Sequence, residues 1–169
     1  MDHPRFLYDL EHCGIRRALD VLGEKWTLLI LREAFYGLRR FDDFARALGC
    51  GRGVLSARLR RLTEAEVLER KDYREPNQRA RAEYRLTDKG RDLFPAILAL
   101  SQWSERWSPS PEGPVARVLS RKSGRPFTVV MTSDPAVQSL AMRDIEIVPG
   151  PGAKPLDQAH HHHRGQTLR

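Results

Sequence analysis

Two apolar stripes of helical spacing, separated by a Gly-Cys-Gly turn, constrain this chain more than any other feature. Phe41, Phe44, Ala45 and Leu48 fall at i, i+3, i+4 and i+7, and Leu55, Leu59 and Leu62 fall at i, i+4 and i+7, so each set lines one side of an α-helix. Asp42 and Asp43 stand in the first turn of the first helix, where negative charge complements the helix dipole. Gly49-Cys50-Gly51 lies between the helices, and glycine permits the left-handed conformation that a tight helix end requires. Two β-prone runs follow, Val67 to Tyr73 and Ala82 to Leu86, separated by Glu75-Pro76-Asn77-Gln78-Arg79. Proline and asparagine favour a turn there. The order from Arg40 to Thr87 is helix, turn, helix, hairpin, which is the layout of a winged helix.

The second helix has a face to spare. With Leu55 as zero and about 100° per residue, Ala57, Arg60 and Arg61 fall at about 200°, 140° and 240°. Gly53 and Val54 lie near that side at the helix start, and Ser56 flanks it. Small residues edged by arginine suit a major groove, where arginine can form a fork to guanine. Charge supports this reading. Residues 39–91 hold 15 Lys or Arg against 9 Asp or Glu, so this unit carries +6 of the chain's net +7. The partner expected is polyanionic, and double-stranded DNA fits the motif beneath the charge. The alternative is a winged helix that docks an acidic protein partner through the same surfaces.

The flanking segments read as supports. Residues 1–12 form an arm, with a short helix expected to start near Asp9. Cys13 to Leu22 carries an apolar side through Ile15, Leu19 and Leu22. Lys25 to Phe35 is the most apolar helix, expected to be buried through Trp26, Leu29, Ile30 and the residues around Leu31. Gly37 to Phe41 can add a short strand. Thr87 is a good N-cap for a helix running from Asp88 to Trp107, with a kink or break near Phe94 because Pro95 lies within it. Ser108 to Pro114 is a linker by composition. Val115 to Ser120, Pro126 to Met131 and Asp144 to Val148 read as three strands of a small β appendage, with Lys122 to Arg125 as a hairpin turn. The expected organisation is a DNA-binding and dimerisation unit over 1–108, the appendage over 115–149 and a disordered tail over 150–169.

From Cys13 to Trp107 the chain resembles the HxlR family of bacterial winged-helix transcriptional regulators. The residues that carry the resemblance include Cys13, the run Ala18-Leu19-Asp20-Val21-Leu22-Gly23-Glu24-Lys25-Trp26, Arg40-Phe41, Leu55-Ser56, Arg58-Leu59-Arg60, Val67-Leu68-Glu69-Arg70, Glu83-Tyr84-Arg85-Leu86-Thr87 and Trp103-Ser104-Glu105-Arg106-Trp107. The resemblance implies a winged-helix fold of mostly α character, dimerisation through N- and C-terminal helices, and a homodimer that binds a roughly palindromic operator. Similar sequences carry serine, a good N-cap, at the position of Gly51, so Gly51-Arg52-Gly53 should loosen the start of the recognition helix. The appendage is similar to one in which cysteine pairs suggest a metal site in some relatives. This one has no cysteine, and no metal is expected.

The expected protein is therefore a DNA-binding repressor rather than an enzyme. No Ser/His/Asp set, paired carboxylates, phosphate loop or HExxH motif is present, and no cofactor is expected. Arg52, Ser56, Ala57, Arg60 and Arg61 are the expected major-groove residues. Arg74, Arg79 and Arg81 on the wing would meet phosphate or the minor groove. The signal expected is a redox change or a small-molecule or electrophile inducer. Cys13 is the redox candidate, because it opens a helix with Arg16 and Arg17 one turn on. Cys50, in the turn before the recognition helix, is the second. The competing reading of Cys13 is inert packing. Trp26, Trp103 and Trp107 could line a ligand pocket, although at helical spacing they fit core or dimer packing better. His160 to His163 lie in the tail, where no fixed geometry would hold a metal. No apolar run approaches the roughly 18 residues of a membrane span, and cytoplasmic residence is expected.

Overall fold

The computed structural model describes residues 10–73, 81–134 and 141–155. Its elements, in order, are helices α1 (Gly14–Leu22), α2 (Lys25–Phe35), α3 (Phe41–Leu48) and α4 (Arg52–Glu64), strands β1 (Leu68–Tyr73) and β2 (Arg81–Leu86), helices α5 (Asp88–Arg91) and α6 (Phe94–Trp107), and strands β3 (Ala116–Ser120) and β4 (Ile145–Pro149). Each strand pair is antiparallel, β1 with β2 and β3 with β4. This is a winged helix-turn-helix, mostly α, with a small β appendage.

The core joins the two stripes to α2. Leu55, Leu59 and Leu62 of α4, Phe44 of α3, and Ile30 and Leu31 of α2 are completely buried. The buried side of α2 agrees with the expected one at Ile30 and Leu31 and departs from it at Trp26 and Leu29. It runs through Thr27, Ile30, Leu31 and Phe35, while Trp26 and Leu29 are half-buried flanks. Period alone could not choose between adjacent apolar positions in a helix this rich in them. Gly49 ends α3 in the left-handed region at φ 63°, and its N–H bonds the Ala45 carbonyl, as a glycine C-cap should. The crossing before α3 adds one bridge, Arg40 to Glu83, to the wing sheet, and the Tyr84 N–H bonds the Arg39 carbonyl at 2.8 Å.

Thr87 does more than cap. Its hydroxyl accepts from the Gly90 N–H at 3.0 Å and donates to the Glu66 carbonyl at 2.6 Å, which ties the end of the wing to the turn after α4. The long C-terminal helix breaks where proline required. Helix α5 ends at Arg91, and α6 starts at Phe94 with Pro95 in its first turn, where a missing N–H costs nothing. Phe94 then packs edge-on against Phe35 at 4.9 Å between centroids.

The appendage departs from expectation twice. The expected middle strand, Pro126 to Met131, is reduced to a single bridge between Pro126 and Leu119. After the Phe127 N–H bonds Val118, the backbone turns to α6, where Gln102 donates to the Phe127 carbonyl and accepts from the Val129 N–H. The side-chain amide thus replaces a strand partner. Residues 150–155, expected to begin a disordered tail, instead lie against the linker. The Gly150 N–H bonds the Val115 carbonyl, and the Gly152 N–H bonds the Pro114 carbonyl. Ile145 is 5% exposed and belongs to the same core as α2 and α4, so the appendage extends that core. The rest of the tail, with His160 to His163, and the start near Asp9 lie outside the described residues.

Gly90 is the tightest point of this frame. A Cβ there would stand 2.1 Å from the Val67 carbonyl oxygen. In a free helix Gly→Ala is stabilising by about 1 kcal/mol. Here Gly90→Ala is expected to destabilise, by roughly 1–3 kcal/mol as overpacking does, and urea unfolding followed by circular dichroism measures it.

Candidate nucleic-acid interface

The face of α4 opposite its leucines is open. Gly53, Val54, Ser56, Ala57, Arg60 and Arg61 are exposed, whereas Leu55, Leu59 and Leu62 are completely buried. The side chains that protrude first are small, so the helix backbone can approach a groove closely. Gly51 occupies the N-cap position and supplies no side-chain bond to the helix start. The free N–H groups there stand beside Arg52, a positive end suited to an anion.

The arginines of α4 divide into two pairs. Arg58 and Arg61 are turned to the corner between α1 and α2. Arg61 donates to the Asp20 carbonyl at 2.6 Å, and Arg58 pairs with Glu24 at 3.4 Å. Asp20 lies in the last turn of α1, where carbonyls lack helical partners, so Arg61 serves as a cap. Its expected place at a groove is thereby shared with a structural contact. Arg58 was not singled out by sequence. It falls at about 300° from Leu55 on the helical wheel, on the flank of the buried stripe, and that was the available signal.

Arg52 and Arg60 point outward, with side chains 71% and 75% exposed. Arg52 lies over the Phe41 ring at 4.7 Å and bonds Asp42 at 3.0 Å; Arg60 stands 3.8 Å from Glu64. Ion pairs this exposed hold a side chain by about 0–1 kcal/mol at most, so both arginines can exchange these partners for a phosphate or a base.

The wing is a paired ribbon with Leu68 opposite Leu86 and Tyr73 opposite Arg81. Its described charges are matched along the strands, with Lys71 to Glu69 at 2.9 Å, Arg70 to Asp72 at 3.2 Å and Arg85 to Glu83 at 3.0 Å. Arg81 opens β2. Arg74 and Arg79, the other wing candidates, lie outside the described residues.

Both cysteines are free and partly exposed. Cys13 occupies the N-cap position of α1. Cys50 lies between α3 and α4, and burial raises its thiol above the usual value.

This arrangement defines a class, the winged helix-turn-helix transcriptional regulators. Residues 21–112 match the HxlR-like helix-turn-helix family, and the chain belongs to that family. An uncharacterized HTH-type transcriptional regulator of Mycobacterium tuberculosis, Rv3095, is 44% identical over 141 residues, which is 83% of this chain and 88% of that one. The crystal structure of a candidate transcription factor, PA1607, superposes with a TM-score of 0.65 at 39% identity, over 79% of this chain and 92% of that one. A redox regulator, HypR in its oxidized form, superposes with a TM-score of 0.52 at 29% identity, over 58% of this chain and all of that one. The protein is a transcriptional regulator with a helix-turn-helix DNA-binding domain, in a family of regulators rather than enzymes. Among the described residues no helix is long and apolar enough to cross a membrane.

The two faces of α4 should separate in stability measurements. Leu59→Ala is expected to cost roughly 2–5 kcal/mol, as buried leucines do. Arg60→Ala should change stability by less than about 0.5 kcal/mol. Thermal unfolding of the two variants checks this before any DNA is added.

Proposed function

We propose that the protein is a homodimeric repressor that reads a roughly palindromic operator with α4 and releases it on a redox or small-molecule signal. The observation that carries the DNA-reading part is the open face of α4, with Ser56, Ala57, Arg52 and Arg60 exposed above a completely buried leucine stripe. In this reading Arg60 and Arg52 approach bases or nearby phosphates, and Arg61 acts partly by fixing α1 against α4. Arg74, Arg79 and Arg81 meet the DNA backbone from the wing. The competing reading, docking of an acidic protein partner, uses the same charge but predicts no preference among DNA sequences.

Two exposed apolar stripes support the homodimer. Leu10, Ile15 and Leu19 on and before α1 are 61%, 71% and 56% exposed, and Leu100, Trp103 and Trp107 on α6 are 54%, 64% and 66% exposed. Large exposed side chains on two helices that each pack against α2 suit a two-fold interface. Trp103 and Trp107, expected in a core or a dimer contact, stand on the outside of the single chain, which favours the second role, whereas Trp26 is half-buried. Two recognition helices would then read half-sites about one helical turn apart.

HypR, by its description, is a redox regulator, and Cys13 stands partly exposed at the start of the α1 that the dimer would use. Cys50 is disfavoured as the first thiol to react. Its raised value keeps it protonated near neutral pH, and only the thiolate attacks. Iodoacetamide should therefore label Cys50 more slowly than a free thiol at pH 7, with the difference narrowing as pH rises through the thiol's value.

Arg60→Ala is expected to weaken operator binding by roughly 1–3 kcal/mol and to relax preference at one base pair, whereas Arg79→Ala should weaken all sequences alike. Fluorescence anisotropy with an operator from the DNA upstream of its own gene, and with scrambled duplex, measures both. Unchanged affinity in a folded Arg60→Ala protein would remove α4 from the reading role. For the signal, peroxide or diamide should release DNA from wild type and not from Cys13→Ser. Equal release from both would exclude Cys13 as the switch.

A further inference from the structure

A cavity of about 590 Å³ lies between α2, α6 and the appendage. That volume is within the range of about 300–1,000 Å³ typical of small-molecule sites. Its walls are mainly apolar, from Leu28 and Leu29 of α2, Ile97 and Leu98 of α6, and Val118 and Phe127 of the appendage. The appendage is what makes this a cavity. Without β3 and the Phe127 segment, the side of α6 facing them would be open surface. Gln102 holds that wall in place through its two bonds to residues 127 and 129.

The cavity meets the stripe assigned to the dimer at Leu100, which belongs to both, and is separate from Trp103 and Trp107. On α6, with Ser101 as reference and about 100° per residue, Ile97 and Glu105 fall within about 40° of it. Trp103 and Trp107 fall about 200° and 240° round. The helix thus carries two apolar sides, one covered by the appendage and one exposed.

The polar groups at the cavity indicate the chemistry of an occupant. The guanidinium of Arg32 is bound to Glu33 and lies over the Tyr36 ring at 5.9 Å. Arg117 and Glu105 both line the cavity, so the remaining charges are one of each sign. An ionised ligand would gain no net charge complementarity. Tyr36 also lines the cavity, 37% exposed, and its partial burial raises its ionisation above the usual phenol value, with Arg32 opposing. It stays a neutral donor at any physiological pH.

We infer that this cavity binds an uncharged, mainly apolar aromatic molecule with one hydrogen-bonding end, held at Tyr36. The inference rests on the regulator reading and supplies its small-molecule arm. The coupling route is short. Phe35 and Phe94 line the cavity and touch each other, and Phe35 shares the buried side of α2 with Ile30 and Leu31, in the core that seats α4. An occupant that shifts α2 against α6 would shift the base of the recognition helix.

The test uses the full-length protein and two uncharged probes, N-phenyl-1-naphthylamine, whose fluorescence rises in apolar sites, and 2-naphthol as competitor. Saturable binding of the first at one per chain is expected, with displacement by 2-naphthol and little displacement by 2-naphthoate. Ser101→Phe, which fills the cavity from an exposed helix position, should weaken N-phenyl-1-naphthylamine about tenfold or more. Trp103→Ser should leave that binding unchanged. Tyr36→Phe should weaken 2-naphthol by about three- to tenfold, the worth of one hydrogen bond, and spare N-phenyl-1-naphthylamine. Circular dichroism verifies that the variants fold. Absence of saturable binding overturns the inference, as does binding that survives Ser101→Phe and is lost in Trp103→Ser. Because no DNA is present, these outcomes are distinct from a failure of operator binding, which the anisotropy measurement reports separately.

Discussion

The burial of Leu55, Leu59 and Leu62 against Ile30 and Leu31 is the contact on which the rest of the structure depends. Each of these side chains contributes on the order of 1.5–3 kcal/mol by leaving water. Three on one stripe fix the rotation of α4 about its own axis, because a turn of one residue would expose leucine and bury arginine. The open face is therefore a consequence of the core. Gly53, Ser56, Ala57 and Arg60 point outward because the three leucines take the inward side.

The same rotation sorts the arginines. Arg58 and Arg61 are three residues apart and share the flank nearest α1 and α2, so they fasten α4 to that corner through Glu24 and the Asp20 carbonyl. Arg52 and Arg60 lie on flanks with only loosely held acidic partners. A contact from the last turn of α1 to α4 matters for assembly. If α1 forms part of a two-fold interface, its position is passed to the recognition helix through Arg61, and the spacing of two such helices in a dimer is set by the same contact.

The winged helix was legible in the sequence because its signals are local and redundant. Two stripes, a glycine turn, a hairpin and a threonine cap each named the same arrangement, and Pro95 marked the break between α5 and α6 to within a few residues. The appendage was legible only in part. Its Lys122–Arg125 turn and outer strands carry turn and β-branched signals, but the loss of the middle strand depends on Gln102, which lies 25 residues before Phe127. The approach of Gly150 and Gly152 to the linker likewise depends on close backbone contact at Pro114, and no periodicity records such contact. The same holds for the candidate interface. Helical angle placed Ala57 and Arg60 outward, but it could not tell that Arg61, at a comparable angle, would bend back to a carbonyl 41 residues away.

Helix α6 shows how one element can serve several surfaces. At its start Phe94 enters the core, and Pro95 sets the break that lets it turn there. Along its length one side meets the appendage and the cavity, and another carries Trp103 and Trp107 into solvent. A helix amphipathic toward a single core would need polar residues on the side away from it. Two apolar sides on one helix require two covers, and among the described residues only the first side has one. The appendage covers the first and leaves room beneath it, while the second stands exposed among the described residues. In a two-fold dimer, that placement would put the cavity beside the interface and one helix away from α2, so that a change in either could be felt at α4 without passing through the DNA-reading face itself.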